Sequence, residues 1–422
     1  MQERRGREKV MAFVMAGGEG SRLRPLTIER CKPSVPFGSR YRIVDFVLSN
    51  LVNSDIRSIY LLVQYKPQSL IEHVRKAWSL STLISEQFVT LVPPHMSRDS
   101  TMFGGTADAV YQSLGLMNVH QPDLVVVFGA DHIYRMDVRQ MIRFHREHGA
   151  DASVAALPVP LDEAHNFGII ETDASGRICG FQEKPARARP MPGDPQRAFA
   201  SMGNYLFDAA VLRSALEEAN ARGETDFGHH VLPRLARTHQ VYAYDFSTNQ
   251  IPGVKAYERK SYWHDVGNLD TYFEAHLDVL GLEPVFDAFN PQWPIYSSHY
   301  NGPTARVISG ELTDVLMGAA TVVNGATIRN SILRREVVVE PGAEIDECVI
   351  MDYVRIGAGA KLRRAIVDRH NRIPAGATIG YDHARDRAAG FHVTEGGLVV
   401  VPLGDIRFYS REGYRQGGAY AE

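Results

Sequence analysis

One short stretch of the chain, AGGEGSRLRPLTIERCKP from Ala16 to Pro33, combines glycines with positively charged residues. Glycines allow the backbone to turn sharply, so that successive N–H groups can point into one concavity, and such a concavity attracts phosphate oxygens. Arginine forks and a lysine ammonium would neutralise a polyphosphate bound there. The glycines are Gly17, Gly18 and Gly20, and the cations are Arg22, Arg24 and Lys32. A solvated surface turn is the alternative for an isolated GGxG, but the three nearby cations favour a phosphate-binding loop.

Two common phosphate loops are excluded at this position. The Walker pattern requires Gly-Lys-Ser/Thr after four intervening residues, and this turn has none. The dinucleotide pattern G-x-G-x-x-G, started at Gly18, requires a third glycine where Leu23 stands. The stretch is therefore expected to serve another class of nucleotide-binding protein.

Two aspartates occur in settings that suit a metal ion. Asp131 comes directly after the apolar run VVVFGA, and Asp265 lies in the sequence WHDVG, which begins at Trp263. A lone aspartate after a strand is usually a turn or capping residue. Two aspartates together with nucleotide phosphates instead suit Mg²⁺, a hard ion that binds a few carboxylates and completes its shell with phosphate oxygens and water.

The elements that must position these residues alternate between strands and helices up to about residue 280. Alternation of this kind predicts an α/β domain with a largely parallel sheet and helices on both faces, and places functional loops at the carboxyl ends of the strands. The glycine-rich stretch directly follows the first predicted strand. The predicted strands are 10–15, 59–63, 124–128, 152–157 and 205–207, and the predicted helices include 137–148 and 211–221.

The chain changes character beyond a proline-containing junction (Pro284, Pro291, Pro294), where Gly-Ala pairs recur every 17 residues, at 325, 342, 359 and 376. Four in-register repeats argue against chance. They predict a left-handed parallel β-helix of the hexapeptide type, with one coil per period, inward aliphatic side chains and a glycine at a turn. The repeated aliphatic sets are Val322, Val339, Ile356 and Ile373; Ile328, Ile345, Leu362 and Ile379; and Ile332, Val349 and Ile366.

Length and composition indicate a soluble globular protein of two domains. The chain has 422 residues, 44% of them hydrophobic, and its net charge of −3 gives no sign of a nucleic-acid or membrane surface. The charged start MQERRGREKV does not resemble a secretory signal, and no apolar run approaches the roughly 20 residues of a membrane helix. Three scattered cysteines favour a reducing cytoplasm. We expect a catalytic domain over 1–283, a linker over 284–305 and a regulatory and assembly domain over 306–422.

Taken in order, the motifs resemble the glucose-1-phosphate adenylyltransferase family, the ADP-glucose pyrophosphorylases of glycogen synthesis. The glycine-rich stretch matches G-G-x-G-[ST]-R-L-x-P-L-T, followed by K-P, which is the signature of nucleotidyltransferases that make sugar nucleotides. The resemblance covers the expected catalytic domain, which it implies to be Rossmann-like, and extends into the repeats. The other motifs are FVLSN (46–50), QYK (64–66), GTADAV (105–110), DHIYRMD (131–137), EKP (183–185), SMGNY (201–205), DFG (226–228) and WHDVG (263–267).

The resemblance implies that ATP and α-D-glucose 1-phosphate react to give ADP-glucose and pyrophosphate, with Mg²⁺ as cofactor. It implies catalytic roles for Arg22, Lys32, Asp131 and Lys184, and metal binding by Asp131 and Asp265. The ATP-binding positions would be Ala16, Gly17, Gly18, Gln64 and Gly105. The positions that would bind glucose 1-phosphate are Phe103, Gly168, Glu183, Lys184, Ser201, Asp226, Phe227 and Trp263.

The resemblance also implies a homotetramer controlled by central-carbon metabolites bound between the two domains. Arg40 and Arg42 provide a cationic patch, so anionic effectors are expected. Glu29 and Pro36 replace a lysine and a histidine that some relatives carry there, so the identity of the effectors does not follow.

Three alternatives remain beside this interpretation. The chain departs from the family pattern at Met102-Phe103, at His229-His230 and at Asn268, so a pyrophosphorylase for another sugar 1-phosphate or nucleotide is one of them. A non-catalytic regulatory subunit is the second, although retention of all the charged site residues argues against it. An acyltransferase that works through the repeats is the third and weakest.

Overall fold

The computed structural model describes residues 8–80, 87–94 and 102–404, so the expected domain ends at residues 1 and 422 lie outside the described residues. An α/β unit comes first, and a stack of short parallel strands follows. The strands of the α/β unit are β1 (Val10–Ala16), β2 (Pro36–Phe37), β3 (Tyr41–Arg42), β4 (Ser58–Val63), β5 (Phe88–Val92), β6 (Leu124–Gly129), β7 (His132–Tyr134), β8 (Ala152–Pro160), β9 (Gly168–Thr172), β10 (Ile178–Glu183), β11 (Arg197–Asp208), β12 (Val241–Asp245) and β13 (Trp263–Asp265). Its helices are α1 (Ile43–Asn53), α2 (Gln68–Ala77), α3 (Thr106–Gln112), α4 (Leu114–His120), α5 (Val138–Glu147), α6 (Ala209–Ala221), α7 (Leu232–Thr238) and α8 (Leu269–Leu277). The second part holds β14 (Arg306–Met317), β15 (Val322–Leu333), β16 (Val338–Val339), β17 (Glu344–Ile350), β18 (Arg355–Ile356), β19 (Lys361–Val367), β20 (Arg372–Ile373), β21 (Thr378–Ile379), α9 (His383–Ala388), β22 (His392–Val393) and β23 (Val399–Val401).

Nine strands form the main sheet, in the order β10-β9-β11-β6-β1-β4-β5, with β8 paired to β11 and β12 paired to β8. The sheet is mixed. Strands β6, β1, β4 and β5 run parallel, whereas β11 is antiparallel to β6, β8 and β9. Successive residues of β1 alternate between two cores: Phe13 belongs to the cluster that includes Leu212 of α6, and Val14 to the cluster that includes Val47 of α1. Both faces of the sheet are therefore covered, and the carboxyl ends of the parallel strands share one edge.

The strands and helices predicted for the α/β unit are present, most of them with ends shifted by one to three residues. The largest difference is β11, predicted only over 205–207 but extending over Arg197–Asp208. Its register with β8 shifts between Ser201 and Tyr205, where Gly203 has a φ of 69°. A bulge of this kind interrupts the alternation of apolar residues, so the sequence pattern did not indicate the first half of the strand.

Parallel strands in the second part stack in register with the predicted period. Ile328 pairs with Ile345, Ile345 with Leu362, and Leu362 with Ile379. All these side chains are buried, so each coil adds one layer to an aliphatic core. The repeated glycines have φ values of 65° to 73°, a conformation that other residues rarely adopt, which explains a glycine in every coil. They are Gly325, Gly342, Gly359 and Gly376.

One repeat position was predicted wrongly. Val322 is only half-buried, and Val323 is the inward residue of its coil, at 0% exposure. The physical reason is the register of the strands. Val339 pairs with Ile356, 17 residues later, whereas Val323 pairs with Val339, only 16 residues later.

The third repeated set faces the α/β unit and not the interior of the coils, so the expectation of an inward set is wrong there. Ile332, Val349 and Ile366 pack in one cluster with Tyr272 of α8. Asn330, with a φ of 45°, turns β15 just before this set and so changes the face that the next residues present. These three stacked side chains form an apolar contact between the α/β unit and the coils.

The middle of the expected linker, 284–305, contacts α1. Asn53 donates a hydrogen bond to the Pro294 carbonyl at 2.9 Å, and the Tyr296 N–H donates to Ser49 Oγ at 2.9 Å. The Trp293 side chain is buried. This middle part is thus packed onto the α/β unit, while the limits of the linker as a domain boundary stay a prediction. No helix in the described part of the chain is both long enough and apolar enough to span a bilayer.

Candidate active site

The glycine-rich loop leaves the carboxyl end of β1 and turns through a short 3-10 helix, Ser21–Leu23. Gly20 has a φ of 66°, and a Cβ there would lie 3.0 Å from the Lys32 Cβ, so the loop folds back on itself at a point that requires glycine. A Cβ at Gly18 would meet nothing within 4 Å, which shows open space beside the loop. The Arg22 side chain is exposed and takes no ion-pair or hydrogen-bond partner from the described residues, so it is available to an anion.

Asp131 and Asp265 come together because a two-stranded ladder joins their segments. Strand β7 pairs with β13, and in this pairing Asp265 lies directly opposite His132, so their side chains share one face. Asp131 immediately precedes β7, at the carboxyl edge of the main sheet. Within residues 8–80, 87–94 and 102–404, these three residues form the one group of potential metal ligands, with ligand atoms all within 4.8 Å of one another.

Lys32 lies between the two aspartates. Its Nζ is 3.1 Å from an Asp131 oxygen and 3.5 Å from an Asp265 oxygen, and 9% of its side chain is exposed. Partial removal from water acts to raise the pKa of Asp131, but the charges of the nearby His132 and Lys32 outweigh this effect and hold that pKa well below its usual range. Asp131 is therefore ionised at neutral pH. Two carboxylates, each more than a third exposed, are a donor set that fits a hard divalent cation.

The predicted ATP-binding residues adjoin one another at this edge. Gln64 follows β4, and its Oε1 accepts a hydrogen bond from the Phe103 N–H at 2.6 Å. Its amino group takes no partner from the described residues. A Cβ on Gly17 would lie 3.5 Å from the Gln64 Cβ. Gly105 precedes α3, and a Cβ there would lie 2.5 Å from the Thr225 carbonyl oxygen, so only glycine permits this approach. The other predicted positions, at the end of β1 and in the loop, are Ala16 and Gly18.

Three predicted sugar-phosphate residues form one corner where β9 and β10 meet. Gly168 lies opposite Glu183, and a Cβ on Gly168 would be 2.9 Å from the Glu183 carboxylate. Lys184 follows with a φ of 45°, and its N–H donates to the Phe167 carbonyl at 3.0 Å. The Lys184 ammonium is 3.8 Å from the Glu183 carboxylate, and the two side chains are 55% and 45% exposed. The ammonium is loosely paired and open to an incoming phosphate.

Asp226 and Phe227, two further predicted sugar-site residues, have different structural roles. Asp226 accepts hydrogen bonds from Thr106 Oγ1 at 3.0 Å and from the His229 N–H at 2.9 Å, so its carboxylate holds the start of α3 against the next turn of chain. The Phe227 ring is fully buried against Tyr205, which places it in the core beneath the site and not at its surface. Any contribution of Phe227 is therefore one of support.

Ser201 and Trp263 lie closer to the open edge. Ser201 is half-buried at the bulge of β11 and hydrogen-bonds to Tyr205, whose pKa is raised by burial. The Trp263 ring packs on His132, with ring centres 4.7 Å apart, and on Phe167 at 5.9 Å. Trp263 thereby connects the aspartate ladder to the Gly168 corner.

Arg40 and Arg42 lie in a different place, a cavity of about 300 Å³ between the α/β unit and the coils. Arg334 and Arg335 line the same cavity, together with Asp352. Burial, and then the charge of Arg369, lower the pKa of Arg42 to about 10. The cavity is thus surrounded by guanidinium groups.

Sequence reasoning missed the residues that hold the site in place. Thr106 and Thr225 clamp the loop before α3, since the N–H groups of Ala107 and Asp108 both donate to the Thr225 carbonyl. His132 stands in the DHIYRMD motif, which could have pointed to it. No sequence signal links Arg30 with Asp368, although the two form a buried ion pair.

Comparison with known proteins agrees with this geometry. The nucleotidyl transferase family model matches residues 11–281, and the model for the GlmU-like C-terminal hexapeptide domain matches residues 303–401. The chain is thus a nucleotidyltransferase joined to a hexapeptide β-helix of the left-handed kind.

Similar proteins identify the family of this chain within the nucleotidyltransferases. Glucose-1-phosphate adenylyltransferase of Thermodesulfovibrio yellowstonii is 54% identical over 79% of this chain and 81% of its own. The enzyme of the same name from Anaeromyxobacter dehalogenans is 51% identical, and that from Thermus thermophilus 48%, each over 94% of this chain and 98% of its own. The chain belongs to the glucose-1-phosphate adenylyltransferase family.

Proposed function

We propose that this chain transfers the adenylyl group of ATP to α-D-glucose 1-phosphate, giving ADP-glucose and pyrophosphate. The observation that carries the proposal is the cluster of Asp131, Lys32 and Asp265, with its 3.1 Å and 3.5 Å contacts, beside the glycine-rich loop. A phosphate loop next to a carboxylate pair suits the transfer of a nucleotidyl group. The names of the relatives support the choice of adenine and glucose.

The chemistry asks the protein for alignment and charge neutralisation. A phosphate oxygen of the sugar attacks the α-phosphorus of ATP in line, a new P–O bond forms, and the bond to pyrophosphate breaks. Arg22 neutralises the leaving pyrophosphate, and Lys184 orients the attacking phosphate. Asp131 and Asp265 would hold Mg²⁺, which supplies further neutralisation of charge on the phosphate oxygens.

The other predicted residues bind and orient the two substrates. The nucleotide is bound by the end of β1, the glycine loop, Gly105 and the amino group of Gln64, whose Oε1 is already held by the Phe103 N–H. Glu183 binds sugar hydroxyls beside the backbone of Gly168, because the absence of a Cβ there leaves room. Phe103, Ser201, Asp226, Phe227 and Trp263 complete or support the sugar pocket.

We propose that anionic metabolites regulate the enzyme from the arginine cavity between the two parts. Buried guanidinium N–H groups at or near this cavity take no partner from the described residues, namely Nε of Arg335 and Nε of Arg369. An unpaired buried donor is costly, so an anion bound there would be favoured. Loss of the response to phosphorylated and carboxylate metabolites in an Arg335→Ala variant, with unregulated turnover retained, would test this.

We also propose how the chain assembles and where in the cell it acts. Among the described strands β14 pairs with β15 alone, and Val307 and Ile308 on it are 44% and 52% exposed. An unpaired apolar edge favours covering by a second copy, which supports self-association, and the number of four copies is what the family resemblance implies. The setting would be glycogen synthesis in the cytoplasm, with the domains divided at 1–283, 284–305 and 306–422.

A pyrophosphate-release assay of the purified chain tests the reaction. Each nucleoside triphosphate is combined with several sugar 1-phosphates, with and without Mg²⁺. We expect ATP with glucose 1-phosphate to be the preferred pair. A preference for another pair would replace the substrate assignment, and absence of turnover with every pair would favour the regulatory-subunit alternative.

A further inference from the structure

A buried ion pair fastens the phosphate-loop segment to the β-helix. Arg30 stands two residues before Lys32, and its guanidinium pairs with the carboxylate of Asp368, which directly follows β19. The side chains are 3% and 1% exposed. The Arg30 Nε also donates to the Leu26 carbonyl at 2.8 Å, so one side chain ties the loop segment both to itself and to the β-helix.

The segment from Gly20 to Lys32 contains little regular structure that could hold it by itself. One 3-10 turn, Ser21–Leu23, is its only helical element before Lys32. Thr27 Oγ1 donates to the Gly20 carbonyl at 2.8 Å, which closes the segment into a loop. The position of Lys32 therefore depends on the points at which this loop is attached.

Asp368 is itself held rigidly. Its Oδ1 accepts from the Arg369 N–H at 2.7 Å, and its own N–H donates to the Val401 carbonyl at 3.0 Å. Leu23 and Leu26 of the loop pack in the same apolar cluster as Ile366 and Leu398 of the β-helix. The loop thus contacts the β-helix both through this apolar cluster and through the carboxylate of Asp368.

From these contacts we infer that Asp368 is a positioning residue for Lys32: it fixes Arg30, and through Arg30 it holds the Lys32 ammonium between Asp131 and Asp265. The inference rests on the proposed function for its kinetic consequence and on the contacts alone for its structural one. Arg369, next in the chain, contributes a charge that helps to lower the pKa of Arg42, one of the residues that line the arginine cavity.

The test combines kinetics with hydrogen–deuterium exchange on the full-length protein. In Asp368→Asn, which keeps the side-chain shape and removes the charge, we expect amide exchange in residues 20–32 to rise severalfold. We also expect kcat to fall by about tenfold to a hundredfold, while KM for glucose 1-phosphate stays within about twofold. Glu258→Gln is the matched control, because Glu258 forms another buried ion pair, with Arg135 at 2.7 Å, and neither residue belongs to the segment 20–32 or to the β-helix. Exchange in residues 20–32 should be unchanged in the control.

A double variant separates positioning from stability. Arg30→Met with Asp368→Leu removes both buried charges, a replacement that often leaves stability unchanged or increased. We expect it to melt near the wild-type temperature but to show the same raised exchange and lowered kcat. Wild-type exchange and kcat in either variant would overturn the inference. Wild-type protein without adenylyltransferase activity would refute the proposed function, and the exchange result would still decide the role of Asp368.

Discussion

Lys184 offers the sharpest test of the sugar-phosphate site. Replacing it by alanine removes an ammonium that is 55% exposed and only 3.8 Å from its nearest carboxylate, so no buried structure depends on it. A charge-assisted contact with phosphate contributes about 1.5–3 kcal/mol, or roughly tenfold to 150-fold in affinity. Because the site is half-open to water, the lower end applies, and we expect KM for glucose 1-phosphate to rise by about tenfold to thirtyfold.

The expected effect is selective, which makes the assay decisive. Initial rates of pyrophosphate release would be measured with glucose 1-phosphate varied at saturating ATP, and then with ATP varied. KM for ATP should change by less than about twofold, since Lys184 belongs to the sugar corner and not to the nucleotide loop. Lys184→Asn serves as a companion, because asparagine tolerates the left-handed φ of 45° at this position better than alanine does.

Arg189→Ala is the matched control. Arg189 is another exposed cation close in sequence, 75% exposed, and it is already paired with Glu171 at 3.0 Å. Its loss should leave both KM values unchanged. Equal losses for both substrates in Lys184→Ala would indicate a structural defect, and no loss at all would show a solvated surface pair; either result refutes the clamp.

Three further outcomes are expected. Asp131→Asn should lower turnover by on the order of a hundredfold or more with circular dichroism unchanged, because a charge-neutralising ligand is lost; near-normal turnover would mark Asp131 as a turn residue. Gly105→Ala should raise KM for ATP severalfold and lower the melting temperature, because the new Cβ would lie 2.5 Å from the Thr225 carbonyl oxygen; an unchanged variant would show that this loop yields freely. Burial lowers the pKa of His276 to about 3. As the pH falls through about 6.5, His276 therefore takes up a proton in the unfolded chain but stays neutral in the folded chain. The free energy of unfolding should therefore fall by about 1.6 kcal/mol from pH 6.5 to pH 5, and urea titrations should show that part of the slope missing in His276→Gln.

Local signals in the sequence predicted the elements that are locally determined. The apolar run of β1 and the glycines after it give a strand and a loop in the right place, since both depend on residues within a short window. The 17-residue repeat likewise predicted the coils, because each coil is formed by residues within one period. The prediction was wrong where a turn changed the geometry: Asn330, with its φ of 45°, sends Ile332 outward to the α/β unit although its spacing resembles that of the inward sets.

The site could be predicted as a set of motifs but not as an arrangement. Lys32 lies 99 residues before Asp131 and 233 before Asp265, and nothing in the spacing shows that its ammonium separates the two carboxylates. That arrangement arises from three independent contacts: the β7–β13 ladder, the close approach of Gly20 to Lys32, and the Arg30–Asp368 pair that spans 338 residues. Each contact joins a different part of the chain to the carboxyl edge of the sheet. A motif supplies the chemical groups, whereas the distances that let them act together come from long-range packing, including packing against a β-helix that has no predicted catalytic residue of its own.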